Sequence, residues 1–325
     1  MQKRNVYKAA AAFFGMLILI LDSKTALSAA TEGIQLCIST VMPALFPFFV
    51  LSSTITGAFS GRTVAILNPL GKLMHIPCGY EAILIPAFLG GYPVGAQAVS
   101  SAYRSGGLSK EHAERMLAFC NNPGPSFLFG MVTFLFPDKH SVWLLWGITS
   151  LSAVLVGKSY PCANTITPVP SSSPAPPVKA LDSAIKAMAY VCGWIILFRV
   201  AIAFVSRWFL WLLPDAVQLI FIGLLELSNG CFELTKLANP GIRFLISGCI
   251  LSFGGLCVTM QTASVAGTLS LQHYIIGKLL QTLCTGILCV SVVRQLWMIP
   301  IAALLFLCIP LKNKNCSRFP GKAIV

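Results

Sequence analysis

An all-α polytopic membrane protein, built of two related halves with broken or re-entrant helices, is the fold this sequence predicts. Three observations predict it. Apolar residues make up 56% of the 325 residues and charged ones only 10%, against roughly a quarter charged in an ordinary soluble domain. Apolar runs recur along the whole chain at lengths near the ~20 residues that a helix needs to span a bilayer. Glycine, proline and asparagine interrupt those runs at corresponding places in the two halves.

Taken in order, Lys3, Arg4 and Lys8 precede an apolar run at 9–21. No clear small-x-small cleavage site follows directly and more apolar segments do, so residues 1–30 read as a short first span or signal anchor. Residues 31–158 form the first membrane half, with apolar segments at 34–59, 82–103, 116–136 and 142–157. The stretch YPCANTITPVPSSSPAPP (160–177) contains six prolines and almost no bulky apolar side chain, which makes 159–180 an extended, solvated linker. The second half, 181–295, repeats the pattern with segments at 185–213, 216–234, 244–271 and 274–293. Residues 296–325 hold a last apolar segment and a basic tail with Lys312, Lys314, Arg318 and Lys322.

The net charge of +13 does not imply a nucleic-acid partner. The basic residues stand singly at the edges of apolar runs, where they anchor helices against lipid headgroups, and form no stripe. Twelve cysteines lie mostly within or beside apolar runs and none is spaced as CxxC. His75, His112, His140 and His273 are far apart, so no metal site or cofactor is expected. With no nucleophile–base motif and no phosphate loop, an enzyme is not expected either.

The informative feature is the set of breaks. LGGYPVGAQ (89–97) and CNNPGPS (120–126) interrupt two segments of the first half. ELSNG (226–230) and LSFGG (251–255) followed by TMQTAS (259–264) interrupt two of the second, and a cleaner span follows each pair. The offsets from Gly90 to Glu226 and from Asn121 to Ser252 are similar. Interrupted segments at matching places in two halves are the sequence pointer to a transporter binding site. At CNNPGPS the preceding helix is capped by Ser109 and stops before Asn122, because Pro123 disfavours helical backbone there. A new helical piece starts near Pro125 or Ser126. Carbonyl ends facing such a break favour cations and N–H ends favour anions.

The candidate substrate-binding residues are therefore Gly91, Tyr92, Pro93, Gln97, Asn121, Asn122, Gly124, Ser126, Ser228, Asn229, Gly254 and Gln261. Gly124 is expected to sit on a turn that needs a positive φ and a close backbone approach. Glu226, a carboxylate after the apolar run LIFIGLL, is costly in lipid and is the candidate for carrying a proton or a cation. Competing readings are a plain interfacial loop at NNPGPS, helix-packing small residues at GGYPVGA and a solvated acid at Glu226. The pairing of the breaks favours a site.

VMPALFPFFVLSS (41–53), GGYPVGA (90–96), LSKEHAERMLAFCNNPGPSF (108–127), ELSNG and LSFGGLCVTMQ (251–261) resemble the YlbJ family of sporulation integral membrane proteins, which carry a nucleoside-recognition or Gate domain. The resemblance covers residues 30–295 or so. It implies a multi-pass protein of the membrane that the mother cell lays around the forespore, and a role in moving dipicolinate, a small anionic metabolite, toward the forespore. It also implies a fold similar to the core of concentrative nucleoside transporters. A non-transporting scaffold for the spore envelope and a nucleoside-type transporter are the alternatives. A second copy of the chain or other sporulation membrane proteins are the protein partners such a role admits.

Overall fold

The computed structural model describes residues 2–160 and 177–309. The proline-rich stretch 161–176 and the basic tail with Lys312, Lys314, Arg318 and Lys322 lie outside the described residues. Among those described, every regular element is helical.

The first helix, α1 (Gln2–Leu21), ends at Asp22, whose carboxylate accepts a hydrogen bond from Thr25 N and caps α2 (Ser23–Leu36). Through a π-helical turn at Cys37–Val41, α2 runs on into α3 (Met42–Ala58), so one helix extends from Ser23 to Ala58. The position near residue 30 expected to separate a first span from the first half lies inside this helix. LSAATEGIQL (27–36) contains no proline to end it.

After a connection carrying α4 (Asn68–Leu73), the segment expected as a span at 82–103 is a hairpin. Its arms, Glu81–Gly90 and α5 (Val94–Arg104), pack against each other about the turn 91–93. Gly91 sits there at φ +82°, a backbone region that side-chain-bearing residues avoid. An 11-residue arm such as α5 is about 16 Å long, half the hydrocarbon thickness. Next come the two pieces of a broken helix, α6 (Lys110–Leu117) and α7 (Pro125–Met131), and then an uninterrupted helix, α8 (Lys139–Ser159).

The second half has the same order. A long helix, α9 (Pro177–Trp208), precedes a hairpin of α10 (Asp215–Leu225) and α11 (Leu227–Glu233), which replaces the span expected at 216–234. A broken helix follows, α12 (Pro240–Phe253) and α13 (Gly255–Ala266), then the uninterrupted α14 (Gln272–Val293) and a final α15 (Met298–Cys308). Five helices among the described residues have the length and apolarity to cross a membrane: Ser23–Ala58, Lys139–Ser159, Ala180–Trp208, Pro240–Ala266 and Gln272–Val293.

The halves interlock reciprocally. α6 packs on α14 and α12 packs on α8, while α8 and α14 pack on each other and α9 lies along α2 and α3. On α14 the usual polarity of a soluble helix is reversed. Lys278, Gln281 and Thr285 are buried, whereas Leu279, Leu283 and Ile287 are exposed. Only an apolar solvent makes that arrangement favourable, because leucine gains nothing by leaving lipid and a polar group gains partners inside. Between the helices runs a polar seam. Gln281 Nε2 donates to Thr149 O (3.1 Å), Thr285 Oγ1 to Ser152 Oγ (2.9 Å), and Ser252 and Thr285 hydroxyls lie 2.6 Å apart.

Candidate functional site

The site is made where four interruptions meet. At the first broken helix, Ser109 has extended backbone and its Oγ accepts from His112 N (3.3 Å), which starts α6. The helix ends at Leu117, the chain turns through Cys120 and Pro123 keeps Asn122 out of helical backbone. Pro125 then occupies the first position of α7, where its missing N–H costs nothing.

Gly124 has φ −83° and ψ 156°, so the expected positive φ is not what selects glycine. Close approach does. A Cβ at Gly124 would lie 2.6 Å from Gly91 N, 2.8 Å from Gly91 Cα and 2.9 Å from Leu89 O. The break of the first broken helix therefore rests directly on the tip of the first hairpin.

The adjoining amides face inward. Asn122 Nδ2 donates to Ala87 O (3.2 Å) and Phe119 O (2.8 Å), and its Oδ1 accepts from Gln281 Nε2 (2.9 Å). That is a structural clasp between hairpin arm, break and α14, which uses both N–H donors of the amide and leaves one lone pair on its oxygen. Asn122→Ala is accordingly expected to lower the stability of the solute-free protein by about 1–3 kcal/mol, the cost of leaving buried groups unpaired. Thermal unfolding in detergent reads it. Asn121 Nδ2 donates to Thr262 Oγ1 (3.0 Å), which ties the first break to the body of α13. TMQTAS (259–264), expected as part of an interruption, is unbroken helix, since it holds neither proline nor glycine to end one.

In the second half, Glu226 separates α10 from α11 and is 3% exposed. Its extended backbone makes it the N-cap of α11, with Oε1 accepting from Ser228 N (3.0 Å) and Oε2 from Asn229 N (2.7 Å). A buried carboxylate is tolerable there because two backbone donors and the positive end of a helix face it. Asn229 Oδ1 accepts from Arg199 of α9, whose guanidinium also lies 4.0 Å from Glu32 on α2. At the second break, Gly254 (φ +81°) caps α12 and Gly255 (φ +80°) begins α13. A Cβ on Gly255 would lie 3.2–3.3 Å from the carbonyl oxygens of Gly223, Leu224 and Leu225, so this break rests on the tip of the second hairpin. The hydroxyl of Tyr92, at the tip of the first hairpin, donates to Leu251 O at the end of α12.

Between these tips lies a cavity of about 70 Å³, lined by Tyr92, Ser126, Glu226, Ser228 and Gln261 with apolar residues of α3, α7 and α9. Five of the expected site residues thus share one wall. Gly91, Asn121, Asn122, Gly124, Asn229 and Gly254 hold that wall from behind, and Pro93 caps the start of α5. Gln97 is elsewhere. Its Nε2 donates to Ser183 Oγ (2.9 Å) and Ser183 O (3.2 Å) on α9, and it lines a separate cavity with Arg104 and Lys186. Its place one turn into α5 turns it away from the tip, so Gln97→Ala is expected to leave solute affinity unchanged in a direct binding titration.

One buried residue beside the first break escapes the pattern of interruptions. Lys278 on α14 is 1% exposed. Its Nζ donates to Asn121 O and to Gln281 Oε1 (2.8 Å), and lies 5.3 Å from the centroid of the Tyr92 ring. The signal was the one lysine in a mostly apolar 22-residue segment, which in a membrane helix marks a candidate position.

Comparison with known proteins agrees with the membrane reading. No family model and no solved structure matches the chain. It is 26% identical over 340 aligned positions to "Sporulation integral membrane protein YlbJ" of Bacillus subtilis (strain 168), an alignment that covers 88% of this chain and 82% of that one.

Proposed function

We propose that this chain, a member of the YlbJ family of sporulation integral membrane proteins, is a secondary transporter or permeation protein for a small anionic metabolite. The observation that carries the proposal is that each helix break packs on a hairpin tip, beside a small, partly polar cavity lined by Tyr92, Ser126, Glu226, Ser228 and Gln261. A protein that only scaffolds an envelope has no use for four interrupted segments aimed at a common point, since each interruption forfeits helix hydrogen bonds. The proposal involves no chemical conversion of the solute. Dipicolinate is the candidate that the family resemblance supplies, moved toward the forespore across its outer membrane.

Architecture gives the route. Two of the five helices long and apolar enough to cross lie in the first half and three in the second. This reading adds the broken helix of α6 and α7 as a sixth crossing and counts the hairpins as none, so that each half crosses three times. An odd number turns the second half over relative to the first, which is the inverted repeat of an alternating-access carrier. The cavity of about 70 Å³ has room for a few water molecules and not for an aromatic dicarboxylate. Loading then requires the hairpin tips to separate.

Charge gives the coupling. An anion 4 Å from the Glu226 carboxylate meets a repulsion of about 4 kcal/mol at an effective dielectric of about 20. Protonation of Glu226 removes that cost and also takes one acceptor from the cap of α11, loosening the hairpin tip. Solute and proton enter together. Lys278, behind the Tyr92 ring, supplies the opposite charge.

The test is uptake of labelled dipicolinate and labelled nucleosides by proteoliposomes holding the purified protein, with and without an inward proton gradient. Dipicolinate uptake raised by the gradient is expected. Uptake of nucleosides alone replaces the substrate, and no uptake of either leaves the scaffold.

A further inference from the structure

An ammonium group within an apolar membrane helix persists only where its N–H donors find acceptors. Lys278 has an unusual set. One acceptor is the carbonyl of Asn121, in the break just beyond α6, and a second is Gln281 Oε1 at 2.8 Å. The face of the Tyr92 ring, with its Nζ–centroid distance of 5.3 Å, adds a third negative surface. The carboxyl end of a helix carries a partial negative charge and unpaired carbonyl oxygens. When such an end is aimed into the middle of a membrane protein it forms a seat for a mobile cation. In this protein α14 packs so closely on α6 that a Cβ at Gly277 would lie 2.3 Å from Ala118 O. The neighbouring lysine is thereby delivered to that seat.

We propose that Lys278 is a tethered cation that fills the monovalent-cation seat of the first helix break, so that this protein needs no sodium or potassium there. Three surfaces complete the seat: the Asn121 carbonyl, the Gln281 amide oxygen and the Tyr92 ring, drawn from the break, α14 and the first hairpin. The ammonium thus locks three elements with one charge. Removing it leaves two buried oxygens and an aromatic face around a hole of ammonium size, which is a binding site for a free cation. The inference concerns the break itself and stands whether or not a solute is carried.

The experiment is thermal unfolding of the full-length protein in detergent, in sodium, potassium, ammonium or choline chloride at equal ionic strength. The wild type is expected to unfold at one temperature in all four salts. Lys278→Ala is expected to unfold earlier in choline and to regain on the order of 4 °C in whichever small cation reaches about a hundred times its Kd. Choline, too large for the seat, is the control. A wild type stabilised specifically by sodium or potassium overturns the proposal, because the seat is then not filled. So does a folded Lys278→Ala protein that no small cation stabilises. Should that variant not accumulate, Lys278→Ser, which also leaves the seat open, and the wild-type comparison decide by the same criteria.

Discussion

Gly124→Val is expected to remove the folded protein from the membrane, a larger loss than any polar substitution in the cavity wall produces. The valine Cβ alone would lie 2.6 Å from Gly91 N and 2.8 Å from Gly91 Cα. Both are backbone atoms of a hairpin turn that cannot swing aside as a side chain does. Overpacking of this kind costs about 1–3 kcal/mol where neighbours can shift, and here the neighbour is the glycine that closes the first hairpin. The measurement is the amount of monodisperse protein recovered from membranes, with Ser126→Ala, on the cavity wall, as a control. Alanine at Gly124 should show the same effect in milder form, since its Cβ meets the same atoms. Normal recovery of both variants means that hairpin and break are not in contact.

Glu226→Gln is the second large effect, and it falls on transport. The amide keeps one oxygen for the N–H of Ser228 or Asn229 and presents an N–H to the other, so the cap is weakened by about 1 kcal/mol, within the range of N-cap replacements. The protein should still accumulate. Proton-driven uptake should be lost, because no group at the cavity then exchanges a proton. Glu226→Asp, which keeps a carboxylate, should retain part of it. Uptake by the Gln variant that still follows the proton gradient removes Glu226 from the coupling and leaves it a structural cap.

Much of this arrangement was legible in the sequence because proline and glycine act locally. Ser109, Pro123 and Pro125 mark the end of one helix and the start of another within a few residues, and the structure follows them. Glu226 and Gly254 mark the interruptions of the second half in the same way. The difference between a span and a hairpin was not local. Segment 82–103 has the length of a crossing, and only its folding about Gly91 makes it two short arms.

Side-chain direction was also out of reach. Gln97 and Tyr92 sit five residues apart, yet one bonds α9 and the other reaches α12. Asn122 resembles a solute ligand by its chemistry, but its partners come from Ala87, Phe119 and Gln281, and the two that are distant in sequence are set by tertiary packing. Glycine at 124 was legible as a requirement, whereas its reason, the backbone of Gly91, lies on another element. Lys278 stood in a segment that looked like a plain span. Its meaning comes from Asn121, more than a hundred residues earlier in the chain.

If the cavity beside the hairpin tips receives the solute, bound solute should shield a thiol introduced on its wall. Ser126→Cys places a thiol on the cavity wall, and Gln97→Cys places one in the separate cavity beside α9. Modification by a small charged thiol reagent is followed at each position by peptide mass spectrometry, which separates the new thiols from the native cysteines. Dipicolinate is expected to slow modification of the Ser126→Cys thiol and to leave that of Gln97→Cys unchanged. Equal protection at both positions, or none at Ser126→Cys under conditions that support uptake, means that this cavity does not receive the solute.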